Sequence, residues 1–124
     1  MLVLIAEDDV LVRLSVVECL LDEGFTVIEA GTGEEALTYL ASTPPPDVLF
    51  TDIRMPGRIN GWELARCFRE VLPEIAVIYA SGYSDDSASP VAGGLFFNKP
   101  YRMEQVIAAM RRLTGQHETS PSQG

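Results

Sequence analysis

Glu7 and Asp8, Asp52, Ser81 and Lys99 each stand at the end of a short apolar run, at residues 2–6, 48–50, 75–80 and 95–97. Three carboxylates gathered in one shallow pocket repel one another and require a cation. Hard oxygen ligands, few in number and leaving room for water, suit Mg²⁺ better than a dedicated Ca²⁺ cage. Lys99 is a mobile point charge able to pair with Asp52 or with an incoming phosphate, and Ser81 offers a hydroxyl donor. Together these groups describe a carboxylate nucleophile, a metal and an ammonium to spread phosphoryl charge, and a hydroxyl to hold it. Taken alone each has a plainer reading. Asp52 by itself is as readily a turn or helix cap as a working group.

The elements that would position these residues follow from periodicity. The apolar runs are too short for helices and are closed by turn residues, Pro56-Gly57 after Asp52 among them, so they read as strands buried on both faces. A helix is expected over residues 10–23, with Ser15, Glu18 and Asp22 on a narrow polar face, Leu14, Val17 and Leu21 opposite, and Gly24 as its stop. Residues 25–30 form the second strand. Thr32-Gly33-Glu34-Glu35 is a capping-box pattern opening a helix with Ala36, Leu37, Leu40 and Ala41 on its apolar face. Pro44-Pro45-Pro46 forces an extended connection into the third strand. A further helix carries Leu64, Ala65, Phe68, Val71 and Leu72 and ends at Pro73; the last, over residues 103–113, carries Met103, Val106, Ile107, Met110 and Leu113 at helical spacing. Alternating strands and helices predict an α/β fold with a doubly wound, five-stranded parallel sheet. Every strand's carboxyl end then faces one edge, where such sheets bind ligands.

The stretch between strands four and five departs from this rhythm. Residues 83–94 have almost no apolar stripe, Pro90 forbids a helix interior, and Gly93-Gly94 opposes order. The fourth helix is therefore expected to be short or missing. At 124 residues with 47% hydrophobic content the chain is one domain, taken as residues 1–115, with a flexible polar tail over 116–124. A formal charge of -9 repels phosphate backbones and argues against direct nucleic-acid binding. No apolar run reaches membrane-spanning length and no charged leader precedes the first strand, which points to a cytoplasmic location. Cys19 and Cys67, on apolar helix faces, read as reduced core thiols.

The combination of Ile5-Ala6-Glu7-Asp8-Asp9, residues 50–57 (Phe-Thr-Asp-Ile-Arg-Met-Pro-Gly), Ala80-Ser81-Gly82 and Phe97-Asn98-Lys99-Pro100-Tyr101 resembles the response-regulator receiver domains of two-component signalling, CheY-like and flavodoxin-like in fold, over about residues 2–114. The resemblance implies that Asp52 accepts a phosphoryl group from a histidine kinase or histidine phosphotransfer protein. It implies a Mg²⁺ ion on Asp8, Asp52 and the backbone carbonyl of Arg54, with Glu7 reached through water, and places Asp9 at the start of the following helix. Ser81 becomes the hydroxyl switch, Phe96 the switch aromatic and Lys99 the family's lysine, with a cis bond to Pro100. Arg54 and Tyr83 stand at the two positions that flank the water able to hydrolyse the phosphoaspartate. The implied protein is a signalling switch and not a turnover enzyme, altering a protein-interaction surface as a monomer or weak dimer.

Rival readings remain. Gly31-x-Gly33-x-x-Ala36, with Asp52 about twenty residues on, imitates a dinucleotide fingerprint, but Glu34 and Glu35 occupy the helix start where a pyrophosphate would sit. A phosphatase built on Asp52 would need a second acid at Arg54. A receiver-like module that ignores phosphate is opposed by the intact set of Glu7, Asp8, Asp52, Ser81 and Lys99. The chain works alone, its final helix followed by no DNA-binding segment, or belongs to a hybrid histidine kinase or larger regulator.

Overall fold

The computed structural model describes residues 1–82 and 89–115. Strands β1 (Leu2–Ala6), β2 (Thr26–Ala30), β3 (Val48–Asp52), β4 (Ala76–Ser81) and β5 (Leu95–Asn98) interleave with helices α1 (Val10–Asp22), α2 (Gly33–Leu37), α3 (Gly61–Val71) and α4 (Met103–Leu113). All strand pairs are parallel, in the order β2-β1-β3-β4-β5. The chain leaves β1 to one side for β2 and returns past it to β3. The order of connection thus reverses between β1 and β3, the position at which doubly wound sheets hold their ligands.

Side-chain alternation explains the two-sided cover. Val3, Ile5, Val48, Phe50, Ile78 and Ala80 face a core closed by Val16 and Leu20 of α1 and Val106 and Met110 of α4. Leu4, Leu49, Val77 and Tyr79 face the opposite core, closed by Ala36 of α2 and Trp62, Leu64, Ala65 and Phe68 of α3. Because both faces are buried, a one-residue slip in any central strand would exchange the two cores. Each large aliphatic side chain so buried contributes roughly 1.5–3 kcal/mol.

Local signals set the helix ends. Asp9 caps α1, its side chain accepting from the Leu11 and Val12 amides at 3.0 and 3.2 Å. Asn60 and Glu63 form a reciprocal capping box on α3, with bonds of 2.9 and 3.0 Å. Thr32 accepts from the Glu35 amide at 3.0 Å, but the Glu35 carboxylate reaches one residue further back, to the Gly31 amide at 2.7 Å. The pattern read as a capping box is therefore only half of one.

Three expectations need correction. The buried side of α1 is Val16, Val17 and Leu20, with Val12 packed beside them, while Leu14 and Leu21 are 52% and 55% exposed. This helix is apolar on more sides than one sheet face can cover, so composition could not choose between them. α2 stops at Leu37 and does not run on to Ala41, which is exposed. The Thr38 hydroxyl donates to the Glu35 carbonyl at 2.7 Å, and the next amides turn back by three residues, Tyr39 to Ala36 and Leu40 to Leu37. Val71, at the last position of α3, is 53% exposed. Between β4 and β5 the described residues 89–94 contain no helix, in keeping with a short or missing fourth helix; residues 83–88 lie outside the described residues. Cys19 and Cys67 are free and half-buried.

Gly61, the first residue of α3, lies against the end of β3: its amide donates to the Ile53 carbonyl at 2.8 Å. A Cβ there would overlap the Asp52 carbonyl oxygen and stand 3.0 Å from Ile53 Cα, both backbone atoms that cannot swing aside. Gly61→Ala is therefore expected to destabilise the fold by about 1–3 kcal/mol in urea unfolding. Wild-type stability in this variant would show that α3 does not bear on β3 as described.

Candidate phosphoacceptor site

Ala6 is paired with Thr51, so Glu7 and Asp8 leave β1 beside Asp52 at the end of β3. Carboxylate oxygens of Glu7, Asp8 and Asp52 lie within 4.8 Å of one another. Glu7 is buried, the Asp52 side chain is 10% exposed, and Asp8 is open to solvent. Lys99 is delivered by the end of β5, where its amide donates to the Ser81 carbonyl at 2.9 Å and its bond to Pro100 is cis. Its Nζ stands 2.9 Å from Glu7 Oε1 and 3.1 Å from Asp52 Oδ2, bridging the two most enclosed acids. The remaining oxygens are also held: Asp52 Oδ1 accepts from the Ile53 amide at 2.9 Å, and Glu7 Oε2 from the Asp9 amide at 3.1 Å.

The structure thus gathers Glu7, Asp8, Asp52 and Lys99 in one cluster. Ser81 lies at the same edge, buried at the end of the neighbouring strand, where Asp52 pairs with Ala80. Arg54 is exposed in the loop leaving β3. Phe96 is 40% exposed and stacks on Trp62 at 6.3 Å, and Trp62 in turn packs on Tyr79 at 4.5 Å. Tyr83 lies outside the described residues. The Gly31 amide that would seat a pyrophosphate in the dinucleotide reading is taken by Glu35.

Two contributors were not singled out from the sequence. Arg13 Nη1 donates to the Glu7 carbonyl at 2.7 Å while its Nε pairs with Glu29 at 3.1 Å, tying the acidic turn to β2. The Thr51 hydroxyl donates to the Asp52 carbonyl at 2.7 Å. The Asn60-x-x-Glu63 box was legible in the sequence as a helix start; an arginine on a helix, by contrast, reads as a solvated charge until its partners are known.

Electrostatics set the character of the cluster. Burial, and then repulsion from Glu7, push Asp52 up to about 6, against the opposing pull of Lys99. Burial alone would lower Lys99, but its bonds to Glu7 and Asp52 outweigh this and raise it, so it stays an ammonium. Tyr101, packed edge-on to Phe50 at 5.6 Å, is pushed up to about 12 by burial and by Glu7 and remains a neutral phenol. The raised Asp52 shows that its negative charge is disfavoured in the apo chain, a cost that a nearby cation would relieve.

A pH dependence follows. The Asp52 carboxyl binds its proton more tightly folded than unfolded, where a value near 3.9 is expected. Its contribution is therefore complete below about pH 4 and is lost as pH rises through about 6. In metal-free buffer, Asp52→Asn should match wild type near pH 4 and become the more stable chain by on the order of 2–3 kcal/mol above pH 7. Parallel stability curves from pH 4 to 8 would show that Asp52 is not strained by its neighbours.

Comparison with known proteins agrees with this geometry. The family of response regulator receiver domains matches residues 3–111. The crystal structure of a response regulator receiver protein from Sinorhizobium medicae WSM419 superposes with a TM-score of 0.87 at 30% identity, covering 93% of this chain and 94% of that one. Sensor kinase CckA of Brucella abortus (strain 2308) is 32% identical over 116 residues, 90% of this chain and 12% of the kinase. Response regulator MprA of Mycobacterium sp. (strain KMS) is 32% identical over 128 residues, 98% of this chain and 53% of the regulator. The chain spans about half the length of the one relative and a small fraction of the other. With the acidic cluster, the bridging lysine and the strand order all in place, the chain belongs to the response regulator receiver domain family of two-component systems.

Proposed function

We propose that Asp52 is the phosphoacceptor of this receiver domain, and that its phosphorylation alters a protein-interaction surface. The observation that carries the reading is the position of Lys99 Nζ, 3.1 Å from Asp52 Oδ2 and 2.9 Å from Glu7, inside a cluster that also includes Asp8. In the transfer, a bond forms between Asp52 and phosphorus as the phosphorus–nitrogen bond of a phosphohistidine breaks, and the imidazole leaves with the electron pair. The donor is a histidine kinase or histidine phosphotransfer protein. Exposed Val10, Leu11 and Leu14 on α1, which begins just after the acidic turn, support docking of a protein donor.

The three-acid donor set fits Mg²⁺; Asp8, Asp52 and the Arg54 backbone carbonyl would hold it, with Glu7 reached through water. Once bound, the ion supplies positive charge to the phosphoryl oxygens. Lys99 supplies the second positive charge from the opposite strand. Ser81 donates its hydroxyl to the phosphoryl group, and the surface change propagates to Phe96. Arg54 and Tyr83 occupy the two sequence positions that in the family flank the approach of hydrolytic water; a guanidinium cannot act as its base, so self-dephosphorylation is slow. The chain acts as a switch and not as a turnover enzyme.

A cytoplasmic location fits such a partner, and among the described residues no helix is long and apolar enough to cross a membrane. Residues 1–115 form the working domain, with 116–124 as a tail. The chain is a monomer or weak dimer and has no direct nucleic-acid target. Its share of its relatives' lengths, 53% of MprA and 12% of CckA, supports a second arrangement in which it serves as the receiver segment of a larger regulator or hybrid kinase.

Incubation with acetyl phosphate and Mg²⁺ is expected to add one phosphoryl mass to the wild-type chain and none to Asp52→Asn. Equal gain in the variant would remove Asp52 from the role. Replacing Arg54 and Tyr83 together by small polar residues should shorten the lifetime of the phosphorylated chain, read as decay of that mass. An unchanged decay rate would refute their part in the control of hydrolysis.

A further inference from the structure

Glu34 lies outside the acidic cluster, in the first turn of α2, yet its carboxylate crosses to the loop that leaves β3. Oε2 accepts from the Arg58 amide at 2.7 Å. The carboxylate occupies the space over Gly57, where a Cβ would stand 2.8 Å from Oε2 and 3.0 Å from Cδ. Gly57 has φ +98°, so this residue is suited to the position twice over, by backbone conformation and by the close approach. The neighbouring Gly33 brings the same helix end onto Ile59, where a Cβ would stand 2.7 Å from Ile59 Cβ and from its carbonyl oxygen.

The base of the loop is closed separately, the Gly61 amide donating to the Ile53 carbonyl at 2.8 Å. Residues 54–60 are thus closed at their base beside the end of β3 and held to α2 part-way round, at Arg58. Arg54, whose carbonyl is the one backbone ligand in the proposed metal site, lies between these two fastenings.

We infer that Glu34 is a positioning residue for divalent-cation binding: by holding the Arg58 amide it fixes the loop that presents the Arg54 carbonyl. The inference rests on the reading of that carbonyl as a metal ligand. Its competitor is a purely local role, in which an acid in the first turn of α2 stabilises that helix through its dipole. The two differ in what each substitution should do. Glu34→Gln removes the charge but keeps an oxygen able to accept from Arg58. Glu34→Ala removes both. Thr32→Ala removes the α2 cap, which accepts from the Glu35 amide, and leaves the Glu34–Arg58 bond in place.

The test is Mg²⁺ titration by calorimetry on the full chain, with amide hydrogen exchange of residues 53–61 measured in metal-free buffer. Glu34→Ala is expected to weaken Mg²⁺ binding about tenfold, as loss of an outer-shell partner does. Its Arg58 amide should exchange about fivefold faster or more. Glu34→Gln should keep wild-type affinity and protection, and Thr32→Ala should lower thermal stability while changing neither. Unchanged Mg²⁺ affinity in Glu34→Ala beside a binding wild-type chain overturns the inference alone. So does a Glu34→Gln chain as weak as Glu34→Ala, which would assign the effect to charge, or an equal loss in Thr32→Ala, which would assign it to α2 stability. A wild-type chain that binds no Mg²⁺ overturns the functional reading and the inference with it.

Discussion

The Lys99 ammonium between Glu7 and Asp52 is the contact on which the site depends. Burial and mutual repulsion both oppose two adjacent carboxylates at the edge of a covered sheet, and one cation held by both makes the arrangement tolerable. The compensation is incomplete: three acids face one lysine, and Asp52 stays raised to about 6. That residual repulsion is the kind a bound cation relieves, and the three acids are close enough together to hold one. A cluster fully neutralised by the protein itself would have less to gain from a cation.

Holding this charge in place falls to the backbone around it. The acidic turn is tied down by Arg13 on the Glu7 carbonyl and by the Asp9 amide on its carboxylate. The end of β3 is fixed by Thr51, by the Ile53 amide and by the close approach of Gly61. None of these groups belongs to the reacting set, yet each restrains an atom next to it. The fold itself thereby restrains the acids, and the cost of ordering them falls on folding.

The side of the sheet away from α1 and α4 is less complete. Tyr79 and Trp62 continue the α3 core toward β5, and Phe96 stacks on Trp62 with two-fifths of its surface exposed. The Val91 amide donates to the Tyr79 hydroxyl at 3.0 Å, and Arg69 donates to the Ala92 carbonyl at 2.7 Å, so residues 89–94 are held by side chains of β4 and α3 and not by helical packing of their own. Phe96 therefore follows a segment whose described residues are anchored from outside it, by Tyr79 and Arg69.

The sequence by itself determined the five strands, their parallel arrangement, and the delivery of Glu7, Asp8, Asp52, Ser81 and Lys99 to one edge. These follow from apolar runs of strand length, breakers between them, and the handedness of β-α-β crossovers, all of which are local or topological. The last helix, residues 103–113, was legible to the residue because its apolar spacing permits only one buried face. Only the tertiary structure decided the rest. It alone chose the buried side of α1, whose Val12, Val16 and Leu20 face the sheet while Leu11, Leu14 and Leu21 do not, since an abundance of apolar residues leaves the choice to packing. It shortened α2, where a threonine hydroxyl competes for a helix carbonyl. It placed Lys99 on two acids at once and brought Glu34 to Arg58 across twenty-four residues. Such partnerships are pairings between distant segments, and no period, cap or motif within one segment specifies which distant atom will stand three ångströms away.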